Sequence, residues 1–577
     1  MLFFVVVGLL FVVWALAVPV FEAPDEPAHW QYARYLHDHW RLPLYQPGFE
    51  EANSPPLYYL AIAPFAVASK LPPMVMANDL RGQGASMAPP RLFANSDRDW
   101  NWYRPVLLAR LWTALLSLVT IGVLYRTAAS LLPWPGALAT AALAAFLPQF
   151  SFRAVTVSND AGVTLFAAVV TMFCLQLVTR GFTWRRGIIA AAALAAAYLS
   201  KILAIGLVAP LALALLQAPA VPRVPLLARV RRLSVLLVTL ALVLPWSLRN
   251  LMLYGDLTAQ HAMRSAVSHL ITDRSLFSAY FLRDFPLLLF ASFIGLFGWA
   301  NVVLPKWIYL LFVVFGMVAS AGAVRAWYRG AMDRRVLGVL VLVIASSLAV
   351  VVYINLMFTQ PQGRYMLTAL PAIALFVAVG LTHLPAPLGS RALPVAAVAM
   401  LVFNIWCLAG VIVPAYWPPL ARTIAPGVRV AYPVVAHDLT FIPRSAADAG
   451  TTLRFDVAGN DPSLLVPVDI DASTCDTIEV ELTGLVPEVT DVAGAIFFVT
   501  EAEGLVPQQR MAFTWRADGT RHVVRVPIRE HSRWRGVITH IRIDPIEEED
   551  VPPPPNRGRL EIGAVRLRGP NAPSTRD

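Results

Sequence analysis

The feature that most constrains this chain is a succession of about eleven apolar runs, most near the ~20 residues that a helix needs to cross a bilayer. They fall near residues 1–20, 106–130, 135–150, 160–179, 187–201, 202–218, 233–248, 303–323, 336–354, 366–382 and 392–413. A soluble core cannot take up so much apolar surface, because 57% of the 577 residues are hydrophobic and 14% charged, with mean hydropathy +0.61. The sequence therefore predicts a polytopic α-helical membrane protein with about eleven transmembrane helices.

The short polar connections orient these spans. Arginine clusters at Arg180/Arg185/Arg186, at Arg223/Arg229/Arg231/Arg232 and at Arg325/Arg329/Arg334/Arg335 mark cytoplasmic loops. All three land inside only if the N-terminus is cytoplasmic, and everything after about Val413 is then outside. The net charge of +10 is thus topological signal and does not call for a nucleic-acid partner. The first run lacks a basic n-region and a small-residue cleavage site, so it reads as a retained helix. Pro286 to Trp299 is apolar but short, and it reads as a re-entrant or interfacial segment.

Two regions stand apart. Residues 21–104 form a first outer loop rich in Trp, Tyr, Pro and charge. Residues 425–577 are polar, with short runs of period two. Ile478, Val480 and Leu482 alternate with Glu479 and Glu481, Val524 and Val526 flank Arg525, and Leu560, Ile562, Val565 and Leu567 close the series. Such alternation between turn residues predicts an extracytoplasmic antiparallel β-sandwich. The acidic run Glu547–Asp550 reads as solvated loop. Cys174, Cys407 and Cys475 lie in separate regions with no disulfide or metal-ligand spacing.

Chemistry concentrates at the ends of the spans. Glu22, Asp25, Glu26 and His29 follow the first run directly, where charge is costly unless it faces water or a polar ligand. Pro27 suits the first turn of a helix and an acid its N-cap, but capping accounts for one acid of three. Asp25 and His29 then lie one turn apart, with Arg34 on a neighbouring face. A divalent cation (Mg or Mn) is compatible with Asp25 and His29, although two ligands do not define a site. Asn53-Ser-Pro-Pro-Leu-Tyr58-Tyr59 starts a short helix, and Ser158-Asn159-Asp160 opens a span with capping residues. Lys201 between two apolar runs needs an anionic partner or a route to water. Arg249 lies at a helix exit, and Arg364-Tyr365 precedes a new helix, where a guanidinium can grip a phosphate bidentately. The inferred topology puts all of these groups at one membrane face. A carboxylate next to several cations suits an anionic lipid phosphate carrying a sugar.

The ordered motifs Pro24-Asp25-Glu26-x-x-His29, Ser54-Pro-Pro-Leu-Tyr-Tyr59, Ser158-Asn159-Asp160, Arg249-Asn250…Tyr254-Gly255-Asp256, Ser292-Phe…Phe297-Gly298-Trp299 and Gln362-Gly363-Arg364-Tyr365 resemble the DUF2142 group of membrane proteins. That group is similar to the GT-C glycosyltransferases, which include the protein mannosyltransferases and the aminoarabinose transferase of lipid A. The resemblance covers roughly residues 1–415. It implies a GT-C-like fold in a bacterial cytoplasmic (inner) membrane and a polyprenyl-phosphate sugar donor. It also implies transfer with inversion to a glycan, lipid or protein acceptor. The first-outer-loop acid of such enzymes maps onto Asp25, with Glu26 second. Donor contacts then fall to His29, Arg34, Tyr58, Asn159, Asp160, Lys201, Arg249, Arg364 and Tyr365. Ser54 stands where relatives carry a basic residue or histidine, so other cations have to hold the donor phosphate. The C-terminal sandwich is similar to carbohydrate-binding modules.

Three other readings compete. A polysaccharide polymerase or ligase would use basic outer loops and leave the acid cluster incidental. A lipid-linked glycan transporter would place ionisable residues at mid-bilayer in paired broken helices, and no repeat is visible here. A glycan sensor would need far fewer spans.

Overall fold

Inside hydrocarbon no water satisfies backbone N–H and C=O groups, so long apolar runs close their hydrogen bonds internally as helices. The computed structural model describes residues 1–45, 49–66, 100–219, 225–266, 274–300, 302–416, 435–437, 439–441, 453–457, 461–486, 491–500, 508–547, 550–552 and 558–569. Much of the expected first outer loop, residues 67–99, and the connection at 417–434 lie outside the described residues, as does Arg223. The chain divides into two compact units. One comprises residues 1–69, 101–297 and 303–413; the other comprises 70–100, 298–302 and 414–577.

Among the described residues six helices are long and apolar enough to cross a membrane: Tyr103–Ala128, Asp160–Arg180, Lys306–Tyr328, Arg334–Met357, Gly363–Thr382 and Leu388–Tyr416. A seventh span is broken, with Trp134–Ala145 and Pro148–Ala154 meeting at 69°. Pro148 causes the break, because it cannot donate to the helix ladder. Leu2–Ala17 and Ile202–Gln217 are shorter apolar helices. The remaining runs are also helical, at Trp184–Ser200 and Leu236–Tyr254. The apolar stretch near Pro286 gives a helix of ten residues, Phe285–Ile294. At 1.5 Å per residue such a helix covers about half the hydrocarbon thickness.

With lipid as solvent, close backbone approach and buried polar contacts hold helices together. The helices Lys306–Tyr328 and Leu370–Thr382 cross where Gly322 packs on the carbonyl of Gly380 and Gly380 on that of Ala319. A side-chain carbon at either glycine would overlap those backbone atoms. Buried Asn404 accepts a hydrogen bond from Trp14 Nε1 at 2.9 Å and donates to Ser151 Oγ at 2.8 Å and the Phe146 carbonyl at 3.1 Å. One side chain thus ties three elements at the kink.

In the second unit the alternating runs form strands, labelled β1 (Val435–His437), β2 (Leu439–Phe441), β3 (Leu453–Val457), β4 (Ser463–Asp471), β5 (Thr477–Leu485), β6 (Asp491–Thr500), β7 (Arg510–Arg516), β8 (Asp518–Val526), β9 (Val537–Asp544) and β10 (Arg559–Arg568). They build two antiparallel five-stranded sheets, ordered β8-β5-β10-β3-β2 and β1-β4-β9-β6-β7. Ile478, Val480 and Leu482 of one sheet share a core with Ile496, Phe498 and Ile541 of the other. On the outer face Glu479 pairs with Arg525 and Arg568, and Glu481 with Arg521 and Arg566.

Replacing Gly380 by Leu forces the two crossing helices apart. We expect destabilisation of about 3 kcal/mol or more, read as a lower thermal midpoint of the purified protein.

Candidate active site

The site grows from the end of helix α1 (Leu2–Ala17), whose last carbonyls have no helical partner. Arg110, on the helix Tyr103–Ala128, donates to the carbonyls of Ala15 at 3.1 Å, Val18 at 2.5 Å and Pro19 at 2.9 Å. The same guanidinium grips Glu26 bidentately, Nε to Oε1 at 2.8 Å and Nη2 to Oε2 at 2.6 Å. Glu26 also accepts from the backbone N–H of Phe21 at 2.8 Å and of Val157 at 2.9 Å. Both side chains are fully buried. With four donors and no access to solvent, Glu26 has no free lone pair facing a substrate, so the geometry gives it a structural part.

Helix α2 (Glu26–His39) starts at that anchored residue. Asp25 precedes it in a left-handed conformation (φ 64°) and makes no side-chain cap bond, so it does not fill the capping role. Its carboxylate is instead 37% exposed and paired with Arg364 Nη2. Arg364 is carried in by the turn Gln362-Gly363, which packs on the helix Phe285–Ile294. The Gly363 N–H donates to Ser292 Oγ at 2.7 Å, and a Cβ on Gly363 would fall inside the backbone of Ser292 and Phe293. Only glycine permits that seat.

Next to this pair lies a second ionic group. Asp160 accepts from Arg153 at 2.8 Å through one oxygen and from Lys201 Nζ at 2.5 Å through the other. Arg153 also donates to Ser158 Oγ at 2.7 Å and to the Pro24 carbonyl at 3.3 Å. The Tyr365 ring centre is 5.0 Å from the Lys201 ammonium and 5.3 Å from the Arg364 guanidinium. Three cations thus stand against the carboxylates of Asp25 and Asp160, with a third carboxylate, Glu51, close to Asp25.

A third cluster completes the site. His29 Nδ1 lies 2.7 Å from Tyr59 Oη and 3.7 Å from Glu51 Oε2. Glu51 Oε2 accepts from Ser54 Oγ at 2.5 Å and Tyr59 Oη at 3.1 Å, and Asn159 Nδ2 donates to Tyr59 Oη at 3.3 Å. One ligand atom from each of Asp25, His29 and Glu51 falls within 4.8 Å of the others. Asn159 Oδ1 is buried without a partner beside the group. Two carboxylates and an imidazole, each offering one ligand atom, would suit a divalent cation such as Mg or Mn. Glu51 would supply the third ligand.

The structure does not bring every proposed site residue together. Arg34 pairs with Asp38 at 3.5 Å along its own helix. Arg249 donates to the Pro43 carbonyl at 2.6 Å and fastens the loop there. Tyr58 is buried between Thr113 Oγ1 at 2.8 Å and the Ser158 N–H at 2.9 Å, as a packing element. Conversely, Arg110, Arg153 and Glu51 enter the cluster although no loop motif singles them out. Arg110 lies within an apolar run and Arg153 just past one, and an ionisable residue so placed is itself a functional signal.

Burial pushes the Asp25 carboxyl up, but the charge of Arg364, with smaller help from His29 and Arg153, overcomes this and holds it at about 2. Burial keeps the His29 imidazole below its ordinary 6.5, against the pull of Glu51 and Asp25.

Residues 106–248 match the sequence model of the dolichyl-phosphate-mannose-protein mannosyltransferase family. That stretch holds Arg110, Arg153, Asp160 and Lys201, whereas Asp25, Glu51 and Arg364 lie outside it. No protein of curated function matches the chain. Among solved structures, ArnT from Cupriavidus metallidurans in the apo state is similar at 17% identity and TM-score 0.42, over 73% of this chain and 66% of that one. The same protein bound to undecaprenyl phosphate gives 15% identity and TM-score 0.41, over 72% and 73%. The oligosaccharyltransferase of Archaeoglobus fulgidus in the apo form gives 14% identity and TM-score 0.40, over 72% and 55%. The membrane unit is multi-helical, as the apolar runs implied, and the C-terminal region is all-β. The DUF2142 resemblance rests on the motif order alone.

Two outcomes follow for stability. Arg110→Met leaves Glu26 buried and unpaired, and should cost about 3–5 kcal/mol in thermal or denaturant unfolding. Lowering the pH through about 6.5 should also destabilise the protein, because the unfolded chain protonates His29 and the folded one resists. His29→Gln should flatten that decline. The contribution of Asp25 should persist until the pH falls below about 4 toward 2.

Proposed function

We propose that this protein is a membrane glycosyltransferase of the GT-C type. It moves a sugar from a polyprenyl-phosphate donor to an extracytoplasmic acceptor, a cell-envelope glycan, lipid or protein. The observation that carries this reading is the partly exposed Asp25 carboxylate set against the buried cations Arg153 and Arg364 and the partly buried Lys201. The mannosyltransferase family match across residues 106–248 supports it independently.

The chemistry needs few parts. Asp25 takes the proton of the acceptor hydroxyl as its oxygen attacks C1 of the sugar. The C1–O bond to the phosphate breaks with inversion, and the polyprenyl phosphate departs as an anion. Arg364 and Lys201 lie where that developing charge can be stabilised, with Tyr365 as the wall between them. Asp160 fixes Arg153 and Lys201 in place. Glu26 acts one step removed, by anchoring the start of α2 and hence Asp25. A divalent cation held by Asp25, His29 and Glu51 would supply further positive charge at the reacting phosphate.

The test is mass-spectrometric profiling of surface glycans and glycolipids from cells carrying only the wild-type, Asp25→Asn or Lys201→Gln protein at matched membrane levels. We expect Asp25→Asn to lower transfer about 10²–10⁴-fold while a polyprenyl-phosphate sugar accumulates. An unchanged profile in Asp25→Asn, alongside a changed one in a full deletion, removes Asp25 as the base.

A further inference from the structure

Resting on the glycosyltransferase reading, we propose that the donor phosphate displaces the Asp25 carboxylate from Arg364, so that the donor must bind before the acceptor can be activated. The hydrogen bonds of the cluster single out this one cation. Arg153 uses all three of its nitrogens, on Asp160, Ser158 and the Pro24 carbonyl. Lys201 gives one of its three N–H groups to Asp160 at 2.5 Å and, as a point charge, lacks the planar fork that a guanidinium offers a phosphate. Arg364 holds Asp25 through Nη2 and reaches the Pro24 carbonyl from Nη1 at a long 3.4 Å. Its Nε is buried without a hydrogen-bond partner.

A buried N–H donor without a partner is costly, and a guanidinium binds an oxyanion best through two parallel N–H groups. The carboxylate uses one nitrogen and leaves the fork incomplete. A phosphate with oxygens on both Nε and Nη2 would complete it. The two partners also differ in freedom. Arg364 is 6% exposed and fixed by the turn at Gly363, whereas Asp25 is 37% exposed and can turn toward the cleft. Exchange therefore moves the carboxylate and leaves the arginine where it is.

The exchange orders the reaction. While Arg364 holds Asp25 Oδ2, that oxygen faces a cation and not an acceptor hydroxyl. Once the phosphate holds Arg364, Asp25 is released next to the sugar it must help to transfer. The acceptor O–H proton then passes to Asp25, the acceptor oxygen bonds to C1, and the C1–O bond electrons leave with the phosphate already on Arg364. Acceptor activation without donor is suppressed by the same contact.

The experiment is binding of a polyprenyl monophosphate, which carries no sugar and cannot turn over, to the full-length protein in nanodiscs. Wild type, Asp25→Asn, Glu51→Gln and Arg364→Gln are compared, with thermal midpoints confirming the fold of each. Exchange predicts that Asp25→Asn binds about tenfold tighter than wild type, because the competing carboxylate is gone. It predicts a much smaller gain for Glu51→Gln, which removes a nearby charge not bonded to Arg364, and about tenfold weaker binding for Arg364→Gln. Equal gains in Asp25→Asn and Glu51→Gln, or none in Asp25→Asn, would overturn the exchange while leaving the glycosyltransferase reading intact. Failure of the folded wild type to bind the probe would overturn both.

Discussion

The interaction on which the rest depends is the buried pair between Glu26 and Arg110. Two full charges at no solvent exposure are tolerated because every oxygen and nitrogen is engaged, with backbone carbonyls and N–H groups filling the positions that the pair leaves open. That bonding ties the end of the first helix, the start of α2 and the backbone at Val157 to one side chain. The left-handed backbone at Asp25 is then determined by its surroundings. Strain of this kind persists only where neighbouring structure enforces it.

From that anchor the electrostatics of the cleft follow. Asp160 sits between Arg153 and Lys201, and Asp25 stands against Arg364, so cations exceed the carboxylates they directly pair by one. The excess is held by rigid elements: a kinked span for Arg153, a helix end for Lys201 and a glycine-seated turn for Arg364. Fixed positive charge in a poorly hydrated site costs little reorganisation when a second anion develops there. It is the arrangement that the proposed departure of a lipid phosphate requires.

Much of the fold was legible because the bilayer and the sheet each impose a period. The apolar runs are helical throughout, and six to seven meet the length and composition of a span. Alternation at Ile478, Val480 and Leu482 marks a strand in the same direct way, although the arginine-paired Glu479 and Glu481 between them are buried as well. The site was only partly legible. Adjacent acids read as equivalent in sequence, but the left-handed backbone at Asp25 leaves its carboxylate partly exposed, whereas Glu26 opens the helix fully buried. Arg34 and Arg249 look like phosphate ligands by residue type, yet nearby partners occupy them. Glu51, in contrast, joins His29 because the loop folds back on α2 through Tyr59.

The sequence by itself determined that this chain is a multi-helix membrane protein with a polar β-structured C-terminal region. Hydrophobic length and strand alternation are local properties that survive any arrangement of the elements. It also supplied the motifs around Asp25, Asn159, Lys201 and Arg364, since charges at the ends of apolar runs are conspicuous in any fold. Tertiary structure alone decided which charges meet. Partners such as Glu26 with Arg110 and Asp25 with Arg364 lie 84 and 339 residues apart. Pairing across such separations depends on where helices cross, and the crossings are set by glycine contacts, a proline kink and buried amides that no local pattern encodes.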